Sequence, residues 1–244
     1  MGNSASVQNS QASQKPPPPD PTCEDLKKKN IEQRDKVVRN LSAREDELNK
    51  EERLTLEKAE GTRMTFSSIF STVPGAGGVM TACSSGCAQA CSPNSLQSGG
   101  PPEVKKGLRK KIRQSKAKRH DKAKKEAGVL CGKSYVHPGG GKGAHAEPKL
   151  INKMSQKSPM QGGKILLSID WRFNKDGKAD SSGMPCPSCY AMLCHAASKC
   201  GIEVFICDKY GVEQPFPKDC ENPTSYGKLS RRIDGNPQPG RNAP

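Results

Sequence analysis

Three adjoining stretches decide how this chain is read: KILLSIDW at 164–171, PCPSCYAMLCHAASKCG at 185–201 and IEVFIC at 202–207. Ile165, Leu166, Leu167 and Ile169 stand close together in the first. That is the apolar density of a strand covered on both faces. Asn174-Lys-Asp-Gly177 follows as a turn. Cys186 to Cys200 predicts a helix, with Gly201 as its C-terminal stop. Ile202 to Cys207 predicts a second strand. Strand, helix and strand in that order imply an α/β sheet with crossover connections.

Outward from this centre the composition changes sharply. Of 244 residues, 40 are Lys or Arg and 25 are Asp or Glu, a net charge of +15. Residues 1–102 are neutral, with 12 basic and 12 acidic side chains. The short block 103–126 carries 12 basic and 3 acidic, and residues 127–244 carry 16 and 10. Eight of the ten aromatic residues fall between Tyr135 and Tyr226. Only 32% of the chain is hydrophobic, too little for a core along its whole length. One modest domain behind a long non-globular region is the expectation.

The expected segments follow from local composition. Residues 1–22 read as a disordered polar leader ending in polyproline. Gly2 and Ser6 fit the short myristoylation pattern, which the plain reading as a polar leader outweighs. Residues 23–63 alternate in charge. Ser42-Ala-Arg-Glu45 fits a capping box, so a helix carrying Leu48 and Leu54 is expected to start there. This would make a charged helical hairpin, a solvated face or an adaptor. Thr65 to Pro102 holds no charge, is rich in Gly, Ser, Ala and Thr, and is broken at Pro74–Gly77. Together, 23–102 read as a possible delivery or adaptor region. Cys83, Cys87 and Cys91 recur every four residues, the spacing of one helical face; small packing residues are the first reading, a metal or lipid role the second. Residues 103–128 form a basic helical linker, 129–221 the folded domain and 222–244 a disordered tail rich in Pro, Gly and Asn.

Eleven cysteines allow two chemistries. A disulfide framework suits a small secreted domain, yet the N-terminal sequence has no apolar signal core and no apolar run reaches transmembrane length. Metal ligation in a reducing compartment is therefore the first reading for the close pair Cys186 and Cys189. Cys-x-x-Cys at a helix start lets two thiolates grip one metal, because the helix N-terminus favours the anions. His145-Ala-Glu147 lies upstream, with Pro148 tolerated in a first helical turn. Two thiolates and one imidazole leave a fourth tetrahedral position for water, the layout of a catalytic zinc. Glu147 would stand beside that water. His-x-Glu followed by Pro-Cys-x-x-Cys is the signature of zinc nucleobase deaminases. Two alternatives stay open: a closed structural zinc with a fourth ligand from Cys194, Cys131 or His195, and a thioredoxin-like redox pair.

With GAHAEPK at 143–149, ILLSIDW at 165–171, PCPSCYAMLCHAA at 185–197 and IEVFICDKYG at 202–211, the chain resembles the cytidine deaminase-like superfamily, most of all bacterial polymorphic-toxin deaminases. The resemblance covers about residues 129–221. It implies a mixed sheet of about five strands flanked by helices. It also implies zinc on His145, Cys186 and Cys189, a proton shuttle at Glu147, and cytosine-to-uracil hydrolysis. A toxin of this kind would be secreted or injected without a classical signal, act in a target cytoplasm and meet an immunity protein. The nucleic-acid substrate would be DNA rather than RNA. Lys142, beside the metal site, would hold phosphate, and Trp171 and Tyr190, with Phe173, would stack on an extruded base. The rivals are a free cytidine or nucleotide deaminase and a non-enzymatic zinc-stabilised nucleic-acid-binding protein.

Overall fold

The computed structural model describes residues 19–61, 64–84, 128–131, 133–135, 145–157, 160–175 and 178–235. A six-stranded mixed sheet forms the middle layer, with helices on both faces. Its elements are β1 (Thr65–Ser71), β2 (Gly78–Cys83), β5 (Lys164–Lys175), β6 (Lys178–Ser182), β7 (Glu203–Cys207) and β8 (Glu213–Pro215). The order across the sheet is β2-β1-β5-β7-β8, and β6 folds back on the far half of β5. β5 and β7 are parallel; every other pairing is antiparallel. A separate short hairpin joins β3 (Gly128–Leu130) and β4 (Lys133–Tyr135).

β5 sits at the centre because both of its faces are covered by helices. Ile165, Leu167 and Ile169 are buried under α3 (Ala146–Lys157), α4 (Pro187–Cys200) and α5 (Pro223–Asp234). Leu166 is buried on the other side, beneath α1 (Cys23–Ser42). Each buried Leu or Ile contributes about 1.5–3 kcal/mol relative to exposure, so the strand needs both layers. The α4 boundaries match their signals: Cys186 is the N-cap, Pro187 opens the first turn, and Gly201 ends the helix at φ 62°.

Residues 23–61 and 64–84 belong to the folded layers. α1 and α2 (Lys50–Glu60) form the predicted hairpin, but it covers the second face of the same sheet. The helix starts also move. Ser42 ends α1 rather than starting a helix. Thr22 and Asp25 form the capping box of α1, and Asn49 and Glu52 exchange the same pair of bonds before α2. The described part of the uncharged window, residues 65–84, holds β1 and β2, where Phe66, Ser68 and Phe70 face one layer and Ser67, Ile69 and Ser71 the other. Cys83 closes strand β2, so its four-residue spacing marks no helix; it is disulfide-bonded. Cys87, Cys91, the 103–127 basic run and leader residues 1–18 lie outside the described residues.

Residues 222–235 of the expected disordered tail are ordered around a helix, and 236–244 lie outside the described residues. Asn222 caps α5 through Thr224, Pro223 takes its first position, and Gly235 stops it at φ 73°. Tyr226, Leu229 and Ile233 fall on one helical face and are buried in the main core. Among the described residues, disulfides join Cys23 to Cys207, Cys131 to Cys200 and Cys194 to Cys220. Among the described residues no helix is long and apolar enough to cross a membrane.

Candidate metal centre

Two helix N-termini build the site. α3 begins at Ala146, so His145 stands just before its first turn and Glu147 within it. α4 begins at Pro187, which leaves Cys186 in extended backbone at the cap and Cys189 one turn in. The Tyr190 amide closes that turn onto the Cys186 carbonyl at 2.8 Å. α4 lies in the crossover from β5 to β7, and the crevice outside the carboxyl ends of such parallel strands is a common ligand site.

His145 Nδ1 is 3.3 Å from Cys189 Sγ and 3.4 Å from Cys186 Sγ. The three ligand atoms all lie within 4.8 Å of one another. A tetrahedral ion with ordinary zinc–nitrogen and zinc–sulfur bonds would hold such atoms about 3.6 Å apart. The donor set and its spacing therefore fit a metal ion, and His145, Cys186 and Cys189 form a group that can hold one.

The electrostatics separate the two thiols. A hydrogen bond from the Cys189 thiol pulls Cys186 down to about 4, helped by His145 and the Cys189 backbone amide. Cys189 is pushed far up, first by burial and then by its bond to Cys186. Glu147 is 4% exposed, and burial raises its carboxyl above the ordinary range. The Cys186 thiolate pushes it the same way, while its own backbone amide and His145 oppose. A carboxyl whose burial favours the protonated form, standing beside a metal group, is suited to proton transfer.

The candidates for a fourth protein ligand are engaged elsewhere. Cys131 and Cys194 are in disulfides, and His195 Nε2 lies 3.2 Å from the Leu130 carbonyl oxygen. Trp171 is half-buried on the face that carries Ile169, stacked on Phe173 at 4.7 Å between centroids. Tyr190 is not available to a substrate. Its position on α4 points into the core, where Phe216 and Tyr226 lie 4.8 and 5.1 Å away and burial lifts its phenol to about 12. Lys142 lies outside the described residues.

Three residues near the site carried no signal in the motif. Lys149 of α3 is 4% exposed and donates to the Cys83 carbonyl at 2.7 Å. Burial lowers its ammonium to about 8. Tyr226 and Asp234 of α5 hold the approach to Cys186. Asn222-Pro223 and Gly235 were legible as helix ends, and would have exposed the last two. No family model matches this sequence, and no curated protein or solved structure matches it either.

Proposed function

We propose that this chain is a zinc-dependent hydrolytic deaminase that converts cytosine to uracil in nucleic acid, with DNA the favoured polymer. The observation that carries this reading is the buried Glu147 beside the His145, Cys186 and Cys189 group. Zinc held by these three side chains would supply a Lewis acid that lets water ionise near neutral pH. Glu147 takes the proton from the attacking water and passes it to the cytosine ring nitrogen. It then delivers a proton to the departing amine, so that cytosine and water give uracil and ammonia. Trp171, half-buried and stacked on Phe173, is the candidate platform for the extruded base. Its other side packs at the edge of the main cluster.

The same reading places the protein as an effector released into a target cell and restrained by an immunity protein. The disulfides among its described residues favour passage through an oxidising compartment. The test is uracil formation by the purified chain on single-stranded DNA, duplex DNA, RNA and free cytidine. Uracil is expected in a polymer arm, and Glu147→Gln should lower turnover by at least about 10²-fold while zinc content by elemental analysis stays equal. Activity on free cytidine alone would move the assignment to nucleoside metabolism. Full activity in Glu147→Gln, or none in the zinc-loaded parent, would remove it.

A further inference from the structure

The five residues Ser182 to Cys186 lead from β6 into α4, and α5 grips them from the side. Asp234 Oδ2 accepts from the Ser182 hydroxyl at 2.8 Å, and Oδ1 accepts from the Gly183 amide at 3.1 Å. The same Ser182 oxygen accepts from the Met184 amide at 3.0 Å. One turn or more away on α5, the Tyr226 hydroxyl donates to the Pro185 carbonyl at 3.1 Å. Every residue before Cys186 in this segment is thus bonded to α5 or to a neighbour that is. Ser182, Met184, Pro185 and Tyr226 are buried.

The loop also has no room to shift sideways. A side chain at Gly183 would meet the Cys207 carbonyl oxygen at 2.9 Å and Ile233 Cγ2 at 3.0 Å. The end of β7 is fixed to α5 in turn, through the Lys209 amide on the Ile233 carbonyl at 3.0 Å. α5 is itself capped at both ends and buried along Tyr226, Leu229 and Ile233. It is a rigid brace between the strand end and the ligand loop.

We propose that Asp234, with Tyr226, is a positioning residue that sets Cys186 for metal binding. This rests on the reading of His145, Cys186 and Cys189 as a metal site, and goes beyond it by assigning a role to α5. A metal ligand must be held to within about 0.5 Å, and supporting contacts of this kind commonly govern metal affinity by about 10–100-fold. Asp234 does this by fixing two consecutive groups of the loop with one carboxylate.

The experiment is a cobalt(II) titration of the full chain, read by the visible bands of thiolate-bound tetrahedral cobalt. Asp234→Ala is expected to weaken cobalt binding by about 10–100-fold and to shift those bands. Asp234→Asn, which can still bond both groups, should restore most of the affinity. Asn222→Ala loosens the other end of α5 without touching the loop; it should lower the melting temperature and leave cobalt affinity unchanged. Equal affinity in Asp234→Ala and the parent would overturn the proposal, as would equal losses in Asp234→Ala and Asn222→Ala. If Asp234→Ala does not fold, Tyr226→Phe carries the test: a several-fold loss supports the role, and none overturns it. A parent that binds no cobalt would instead sink the metal reading, and this proposal with it.

Discussion

The two faces of the sheet are held by different chemistry. Under α3, α4 and α5 the packing is apolar: Ile69, Leu167, Ile169, Leu193 and Leu229 share one core with Tyr190 and Tyr226. Under α1 the centre is polar. Asn30 donates to the Ser168 carbonyl and hydroxyl at 3.2 and 3.1 Å and accepts from Ser68 at 2.7 Å. Arg34 pairs with Asp170 through two nitrogens at 2.9 and 3.2 Å and reaches the Ala59 carbonyl at 2.8 Å. Its guanidinium also lies over the Phe66 ring, 4.5 Å from the centroid. The apolar face can tolerate small adjustments in shape and carries the metal group. The polar face fixes one register, since a shift of α1 would leave Asn30 and Arg34 buried without partners.

The largest effect follows from this division. A chain cut to residues 129–221 loses α1, α2, β1, β2 and α5. The seven-residue register between β1 and β5 disappears, and Leu166, Ser168 and Asp170 are uncovered. Such a fragment is expected to show no cooperative thermal transition, whereas residues 19–244 should unfold in one step. A well-folded 129–221 that bound cobalt would show that the polar layer is dispensable, and the contrast between the faces would lose its meaning.

A smaller effect isolates the ion pair. Arg34 is 3% exposed, and burial lowers its affinity for a proton while Asp170 supports the charged form. Replacing it by Met leaves the Asp170 carboxylate with only Arg172 beside it, at 3.3 Å. Breaking one side of such a pair costs about 3–5 kcal/mol; the Arg172 contact places this one near the lower end. The double variant Arg34→Met, Asp170→Leu should recover most of the loss in urea unfolding, because it leaves no buried charge unpaired. If the single change costs under about 1 kcal/mol, the ordinary value for a surface ion pair, α1 is not held by this contact.

The same contrast explains what could be read in the sequence. β5, α4 and β7 were legible because Ile165–Ile169, Gly201 and Val204–Ile206 are strong local signals. The metal group was legible because His145, Cys186 and Cys189 are of ligand type and Cys-x-x-Cys has the spacing that lets two thiolates grip one ion. α1 was read only as half of a solvated hairpin and not as a layer of the sheet, since its buried stripe at Leu26, Asn30, Arg34, Val37 and Leu41 is broken by two adjacent polar positions. Asn30 and Arg34 make sense only opposite Ser168 and Asp170, more than 130 positions away. Cys83 had a helical spacing by coincidence and a strand register in fact. The disulfide from Cys23 to Cys207 spans 184 positions, and no pattern within either segment announces it.

Among the described residues the apolar face holds a buried cation, Lys149. Lys149 has its bond to the Cys83 carbonyl, and burial lowers its ammonium from 10.5 to about 8. The unfolded lysine keeps its proton up to its ordinary value. Between pH 8 and 10.5 the unfolded chain therefore binds more protons than the folded one, and this residue makes stability rise with pH. Below pH 8 both states are protonated and the cost of burial is fully present. At about 1.4 kcal/mol per pH unit, the effect over the window is bounded at about 3 kcal/mol. Lys149→Met lacks the titration. The stability difference between the two chains, from urea unfolding without added thiol, should shift toward the parent as pH rises from 8 to 10.5. A difference that stays constant across that window would mean Lys149 titrates alike in both states, and that this face tolerates a buried charge as readily as the one beneath α1.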